Sequence, residues 1–149
     1  AISVRRGLEA LQSYEPNLVL IHDAARPFVP QEVIRDVITA LETSDGACAA
    51  VPVVDALWSS KEGLAQAQIP REGLWRAQTP QGFVFDRILS AHRNHDGTGA
   101  DDVVVAREAG LDVRLVLGSE QNYKITTQTD LERATRDAEL LETQGEQIK

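Results

Sequence analysis

Residues 18–28, LVLIHDAARPF, constrain this chain more than any other stretch. A short apolar run stops at His22-Asp23 and gives way to Ala24, Ala25, Arg26 and Pro27. Such a run, bounded by a turn signal, reads as a buried parallel strand. An acid at its carboxyl end falls where α/β sheets hold their ligands. Asp23 there can hold a divalent metal, the paired alanines let a ligand approach the backbone, and Arg26 can grip a phosphate. The segment predicts an α/β fold with metal-assisted chemistry on a phosphorylated substrate. The plainer reading is that Asp23 only caps the turn before Pro27.

The apolar spacing elsewhere supplies the layers. Residues 2–14 read as an amphipathic helix with Ile2, Leu8 and Leu11 facing inward, and Ser3 either caps it or binds a ligand. Residues 31–43 place Val33, Ile34, Val37, Ile38 and Leu41 at helical spacing, and 47–53 read as a second buried strand. Strand, helix and strand imply a right-handed crossover in a mostly parallel sheet. Residues 54–72 lack a helical period, and Leu57, Trp58, Leu64 and Ile69 favour a protruding β-hairpin arm over disorder. An apolar hairpin with nothing against it exposes too much surface, so the arm predicts a homodimer. Beyond it the pattern predicts helices over 83–95 and 101–109, with His92 and His95 facing solvent. It also predicts strands over 113–117 and 123–125 and a last helix over about 128–141.

Composition narrows the function classes. A chain of 149 residues can bury a real core. Its net charge of −8 argues against a sequence-independent nucleic-acid binder, while local cations can still serve an anionic small molecule. No apolar run approaches a membrane span and no signal-peptide layout opens the chain, so a cytoplasmic location is expected. Cys48 is the only cysteine, which rules out an internal disulfide and a cysteine-rich metal site.

Reactive groups concentrate in four segments: Ser3 with Gly7, residues 22–27, residues 71–81 and residues 118–126. Arg26, Arg71 and Lys124 come from three of them. Brought together they would clamp phosphoryl oxygens, and a divalent ion on Asp23 would neutralise charge that builds up in phosphoryl or nucleotidyl transfer. Each has a structural alternative. Arg71 can be an exposed loop charge, Lys124 can pair with a carboxylate, and His22 can be a packing residue. Trp58 and Trp75 can be core or interface anchors, and Asp101-Asp102 can serve the helix dipole.

Three motifs in register, HDAARPFV, GLWRAQTPQGF and GSEQNYKIT followed by Asp130-Leu131, resemble the 2-C-methyl-D-erythritol 4-phosphate cytidylyltransferase family of non-mevalonate isoprenoid synthesis. With SVRRGLEAL at the start, the similarity spans nearly the whole chain. VVDALW and LWRAQTPQGF look most like the form found in bifunctional proteins, where a cyclodiphosphate synthase domain follows. The resemblance implies a doubly wound, mostly parallel, Rossmann-like sheet of the nucleotide-diphospho-sugar transferase type that binds CTP and Mg²⁺ or another divalent cation. The phosphate of methylerythritol phosphate would attack the α-phosphorus of CTP in line, giving 4-diphosphocytidyl-2-C-methyl-D-erythritol and pyrophosphate. It implies a cytidylyltransferase domain over 1–143, with 54–72 as the dimerisation arm and 144–149 as a tail or linker.

By motif position, Ser3 would contact cytosine, Asp23 would face metal and phosphates, and Ala24 would lie against substrate. Arg71 and Lys124 would position the attacking phosphate, Thr79 would line the acceptor site, and Arg26 and Asp55 would reach the acceptor across the dimer. Departures are also legible. The family's glycine-rich nucleotide loop should precede Ser3, so this N-terminal βα unit is expected to be missing and the chain alone to turn over little or nothing. Ala56 and Ala100 stand where many members carry threonine. Two other readings stay open: a ribitol 5-phosphate cytidylyltransferase, and a non-catalytic dimerisation or regulatory module.

Overall fold

The computed structural model describes residues 2–97, 99 and 101–146. Ala100 lies outside the described residues. The elements follow as α1 (Ile2–Leu11) with a 3₁₀ turn (Gln12–Tyr14), β1 (Leu18–Ile21), α2 (Gln31–Ala40), β2 (Gly46–Pro52), β3 (Leu57–Lys61) and β4 (Leu64–Ile69). Then come β5 (Trp75–Val84), α3 (Phe85–Asn94), α4 (Asp102–Glu108), β6 (Val113–Leu117) and α5 (Gln128–Glu146).

The main sheet has the order β1-β5-β2-β6. β2 and β6 pair in parallel, and β5 lies antiparallel between β1 and β2. Three strands thus share one direction, as the crossover predicted, but the sheet is mixed. Helices cover both faces. Val33, Val37, Ala40 and Leu41 pack on Ala47 and Ala49 on one side. Leu8, Phe83, Phe85, Ile88, Leu89, Val105 and Ala106 fill the other. The run of small residues in β2 is fully buried from Gly46 to Val51 because both layers press on it. Gly82 of β5 marks the closest approach of α2. A Cβ there would meet Val37 Cγ1 at 2.6 Å and Leu20 Cδ2 at 2.9 Å.

Several boundaries differ from the sequence reading for identifiable reasons. β5 takes residues 83–84, so α3 starts at Phe85. α1 buries only Leu8; Ile2 and Leu11 are exposed, because the helix meets α3 along a single narrow stripe. His92 is buried rather than solvent-facing, since α3 packs on α4. Its Nε2 lies 3.0 Å from Asp102 Oδ1, a close contact without hydrogen-bond alignment. His95 is also covered, with Nε2 at 2.8 Å from Glu108 Oε2 and Nδ1 accepting from Gly97 N. Residues 123–125 form no strand: they make one backbone bond to a neighbouring segment, Ile125 N to Ala25 O at 2.8 Å. The last helix runs on to Glu146, through the start of the segment read as a tail.

The arm is a β-hairpin, as the pattern predicted. β3 and β4 join through Glu62-Gly63, both at positive φ, the two-residue turn whose twist suits a hairpin. Trp58 is 58% exposed and Leu64 68%, so within one chain Trp58, Leu64 and Ile69 stay uncovered while Leu57 is partly buried. Among the described residues, no helix is long and apolar enough to cross a membrane.

Candidate functional site

Where β1 ends, the chain turns across the edge of the sheet and opens a cleft of about 380 Å³. One wall carries Asp23 and Arg26 from the loop after β1, with Lys124 from the segment before α5. Ala77, Thr79 and Gln81 of β5 form the floor, and Val4, Asp101 and Asp102 close the far side.

Asp23 is the electrostatic centre of the near wall. Lys124 Nζ lies 3.1 Å and Arg26 Nε 3.3 Å from its Oδ2. Burial pushes the Asp23 carboxyl upward, but the hydrogen bond and charge of Lys124, then those of Arg26, outweigh it and hold the group below the ordinary carboxylate range. The loop itself is pinned. Asp23 N donates to Thr79 Oγ1 at 3.0 Å, His22 Nδ1 meets the same hydroxyl at 3.0 Å, and His22 Nε2 meets Arg26 O at 2.9 Å. His22, although exposed, is thus engaged through both ring nitrogens in holding the loop.

A network of buried amides brings Lys124 and Arg26 to the same acid. Asn122, fully buried, donates through Nδ2 to Thr79 O at 2.6 Å and to Gln78 Oε1 at 3.3 Å. Gln78 returns the contact, donating to Ser119 O at 2.8 Å and accepting from Ser119 N at 3.2 Å. Arg26 Nη1 donates to Asn122 O at 2.7 Å. Gly118 is required beside this clasp, because a Cβ would lie 2.3 Å from Gln78 Oε1. Downstream, Asp130 accepts from Thr126 and Thr127, and Asp130 N donates back to Thr127 Oγ1 at 3.2 Å. This capping box starts α5 and anchors the far end of the Lys124 segment. Those bonds, Thr126 N–H first, lower the Asp130 carboxyl to about 2. The Asp130-Leu131 part of the motif thus has a structural role here.

The structure brings together Asp23, Arg26, Thr79 and Lys124, with Ala24 exposed on the same loop. It does not bring Arg71 or Asp55 to the cleft of the same chain. Arg71 donates to Val54 O where the arm meets the sheet, and Asp55 and Ala56 are exposed at that base. Ser3 is the second residue of α1, exposed, next to the cleft-lining Val4. Trp58 and Trp75 are both substantially exposed, so neither is a core anchor. Asp101 caps α4 by accepting from Val104 N at 3.0 Å, and Asp102 faces His92.

Sequence reasoning missed the three amides Gln78, Gln81 and Asn122. The available signal was weak: glutamines inside TPQ-type turns look like loop polarity unless the segment is recognised as a central strand. Among the described residues, no group of three side chains could hold a metal by itself. Asp23 offers one carboxylate, and both of its cations sit on Oδ2. That donor set fits a divalent ion shared with ligand phosphates, not a dedicated protein cage.

Comparison with known proteins agrees with this geometry. The sequence profile of the family described as IspD, 2-C-methyl-D-erythritol 4-phosphate cytidylyltransferase, matches residues 1–143. The bifunctional enzyme IspD/IspF of Rhodobacter capsulatus is 55% identical over 89% of this chain and 35% of its own length. The 2-C-methyl-D-erythritol 4-phosphate cytidylyltransferase of Cereibacter sphaeroides is 53% identical over 90% of this chain and 60% of its own. The chain therefore spans about a third of the bifunctional relative and less than two thirds of the monofunctional one. Among solved structures, the cytidylyltransferase of Thermus thermophilus superposes with a TM-score of 0.83 at 35% identity, covering 92% of this chain and 68% of that one. The bifunctional IspDF of Campylobacter jejuni does so with a TM-score of 0.74 at 25% identity, over 87% of this chain and 33% of that one.

Proposed function

Because this chain belongs to the 2-C-methyl-D-erythritol 4-phosphate cytidylyltransferase family, we propose that its cleft takes part in CMP transfer from CTP to 2-C-methyl-D-erythritol 4-phosphate. The products are 4-diphosphocytidyl-2-C-methyl-D-erythritol and pyrophosphate. The observation that carries the reading is the convergence of Lys124 and Arg26 on Asp23 in a cleft at the sheet edge. Two phosphates repel one another as they approach. Fixed cations lower that cost, and no covalent intermediate on the protein is needed. Arg26 is mostly covered and tied to Asn122 O, so it sets the position of the loop. Lys124 is about half exposed and is the cation free to turn toward a phosphoryl oxygen. Asp23 keeps both oriented before substrate arrives.

Mg²⁺, when bound, would spread the charge of the triphosphate. Asp23 Oδ1, the oxygen without either cation, is the protein atom placed to share it. Ser3 is proposed to face the cytosine, and Ala24 and Thr79 to line the substrate channel. A cytoplasmic location is part of the same proposal.

Arg71 and Asp55 lie at the base of the arm, so they would enter a site only from a second copy. The exposed Trp58, Leu64 and Ile69 support a homodimer formed through residues 57–69. Sedimentation is expected to show a dimer at micromolar concentration, and Trp58→Glu with Leu64→Glu a folded monomer. A monomeric parent would remove Arg71 and Asp55 from the proposal. The reaction itself is tested by pyrophosphate release from CTP with each of two acceptors, using the gene product that carries this chain. Turnover is expected with methylerythritol phosphate and not with ribitol 5-phosphate. Turnover with ribitol 5-phosphate alone would replace this reading with the ribitol enzyme.

A further inference from the structure

We propose that the floor and far wall of the cleft, centred on Gln81, form a subsite for a sugar or polyol hydroxyl of one of the two phosphorylated substrates. The inference rests on the transferase reading above and adds a recognition residue to it. Gln81 is 3% exposed, on β5 between Ile21 of β1 and Cys48 of β2, and it lines the cleft. Its Nε2 points at two oxygens, Gln78 O at 3.5 Å and Asp101 Oδ2 at 3.4 Å. Its Oε1 is buried and has no hydrogen-bond partner. Exchanging the two amide ends would aim an acceptor at two acceptors, so the neighbours fix Oε1 as the unpartnered atom. A buried amide oxygen with no donor is costly, and such groups call for a donor from a ligand or a water.

The rest of that wall has the same polarity. Asp101 Oδ2 lies beside the Gln81 amide and Asp102 lines the same cleft, so two carboxylates share the lining with the unpartnered oxygen. Lys124 and Arg26 occupy the opposite wall. The cleft therefore has a cationic side that suits phosphate and an acceptor side that repels it and suits O–H donors. A molecule with a phosphate a few bonds from a hydroxyl fits in one orientation only. Both nucleotide ribose and methylerythritol meet that description, and the experiment separates them.

The KM of the gene product is measured for CTP and for methylerythritol phosphate, in the parent and in Gln81→Met, which keeps the bulk and removes the acceptor. The variant is expected to raise one of the two KM values roughly three- to tenfold and leave kcat within about twofold. If that value is for CTP, then 2′-deoxy- or 3′-deoxy-CTP should show the same loss with the parent and no additional loss with Gln81→Met. If it is for methylerythritol phosphate, the deoxy nucleotides should rank alike in both proteins. A second readout needs no variant: saturating the parent with CTP or with methylerythritol phosphate should move the Gln81 side-chain carbonyl ¹³C resonance downfield. Unchanged KM values, or a carbonyl resonance that neither substrate moves, would mean that the wall holds only water and would overturn the inference while leaving the transferase intact. A fall in kcat and melting temperature together, with both KM values altered alike, would assign Gln81 a purely structural role and overturn it as well. A parent that fails to use CTP would take down both readings.

Discussion

Replacing Lys124 with methionine is expected to lower kcat/KM for CMP transfer about 10²- to 10³-fold, while changing unfolding free energy by less than about 1 kcal/mol. The split follows from where the ammonium sits. Its side chain is 46% exposed, and its ion pair with Asp23 at 3.1 Å is partly solvated, so the pair adds little to folding. With substrate bound the same charge would face phosphoryl oxygens with water displaced, where removing one fixed electrostatic group costs several kcal/mol of barrier. Lys124→Arg should recover part of the activity, because it restores charge with a different reach and fork. Steady-state pyrophosphate release and thermal unfolding of the same samples check the pair of statements. Activity within threefold of the parent, or a loss of activity that merely tracks unfolding, would remove Lys124 from the chemistry.

The residues of the near wall were legible in the sequence, for a physical reason. An apolar run that ends in an acid marks a strand and the sheet edge where Asp23 and Arg26 lie, although β1 is a partly exposed edge strand paired antiparallel to β5 and not the buried parallel strand expected. Lys124 is more instructive. Its apolar surroundings said only that the ammonium needs a polar partner, and either a carboxylate or a ligand satisfies that. The structure shows that the partner is Asp23, so the structural alternative and the functional one use the same contact. The arm was legible because loss of helical period together with four apolar residues leaves few options. The Glu62-Gly63 turn with two positive φ values is the local device that closes it.

What was not legible depended on tertiary placement. Residues 75–84 carry polar Gln, Thr and Arg at spacings that resemble a binding loop, yet this segment is the second strand of the sheet, antiparallel to its neighbours. Gln78 and Gln81 are buried there because two strands flank β5, a fact absent from local composition. His92 of α3 and His95 just after it misled for the same reason. Polar side chains on an amphipathic helix are assigned to solvent unless another helix is known to cover that face, and α4 does so. Residues 123–125 alternate like a strand, but one backbone bond, Ile125 N to Ala25 O, does not make a ladder. Periodicity reports which face a residue takes, not whether a neighbour exists to pair with it.

The amide clasp behind the cations sets up the converse of the Lys124 experiment. Asn122→Leu is expected to lower unfolding stability by about 2–4 kcal/mol and with it the transfer activity, although Asn122 itself lines no part of the cleft. The side chain is fully buried, and its Nδ2 is shared between Thr79 O at 2.6 Å and Gln78 Oε1 at 3.3 Å. Leucine has nearly the same size but no donor, so Thr79 O would lose its Nδ2 partner in a place water does not readily reach. The backbone cost would spread to Arg26, whose Nη1 reads Asn122 O, and then to the oxygen of Asp23 that Arg26 and Lys124 share. Gln78→Leu removes the other half of the clasp. The double variant should therefore be less destabilised than the sum of the two single ones, by roughly 0.5–3 kcal/mol. The neighbouring Gln121→Ala, at an exposed position, should leave both stability and activity near the parent. Denaturant unfolding of the parent and the four variants gives the comparison. Additive losses, or an Asn122→Leu protein as stable as the parent, would mean that the cations converge on Asp23 without help from the clasp.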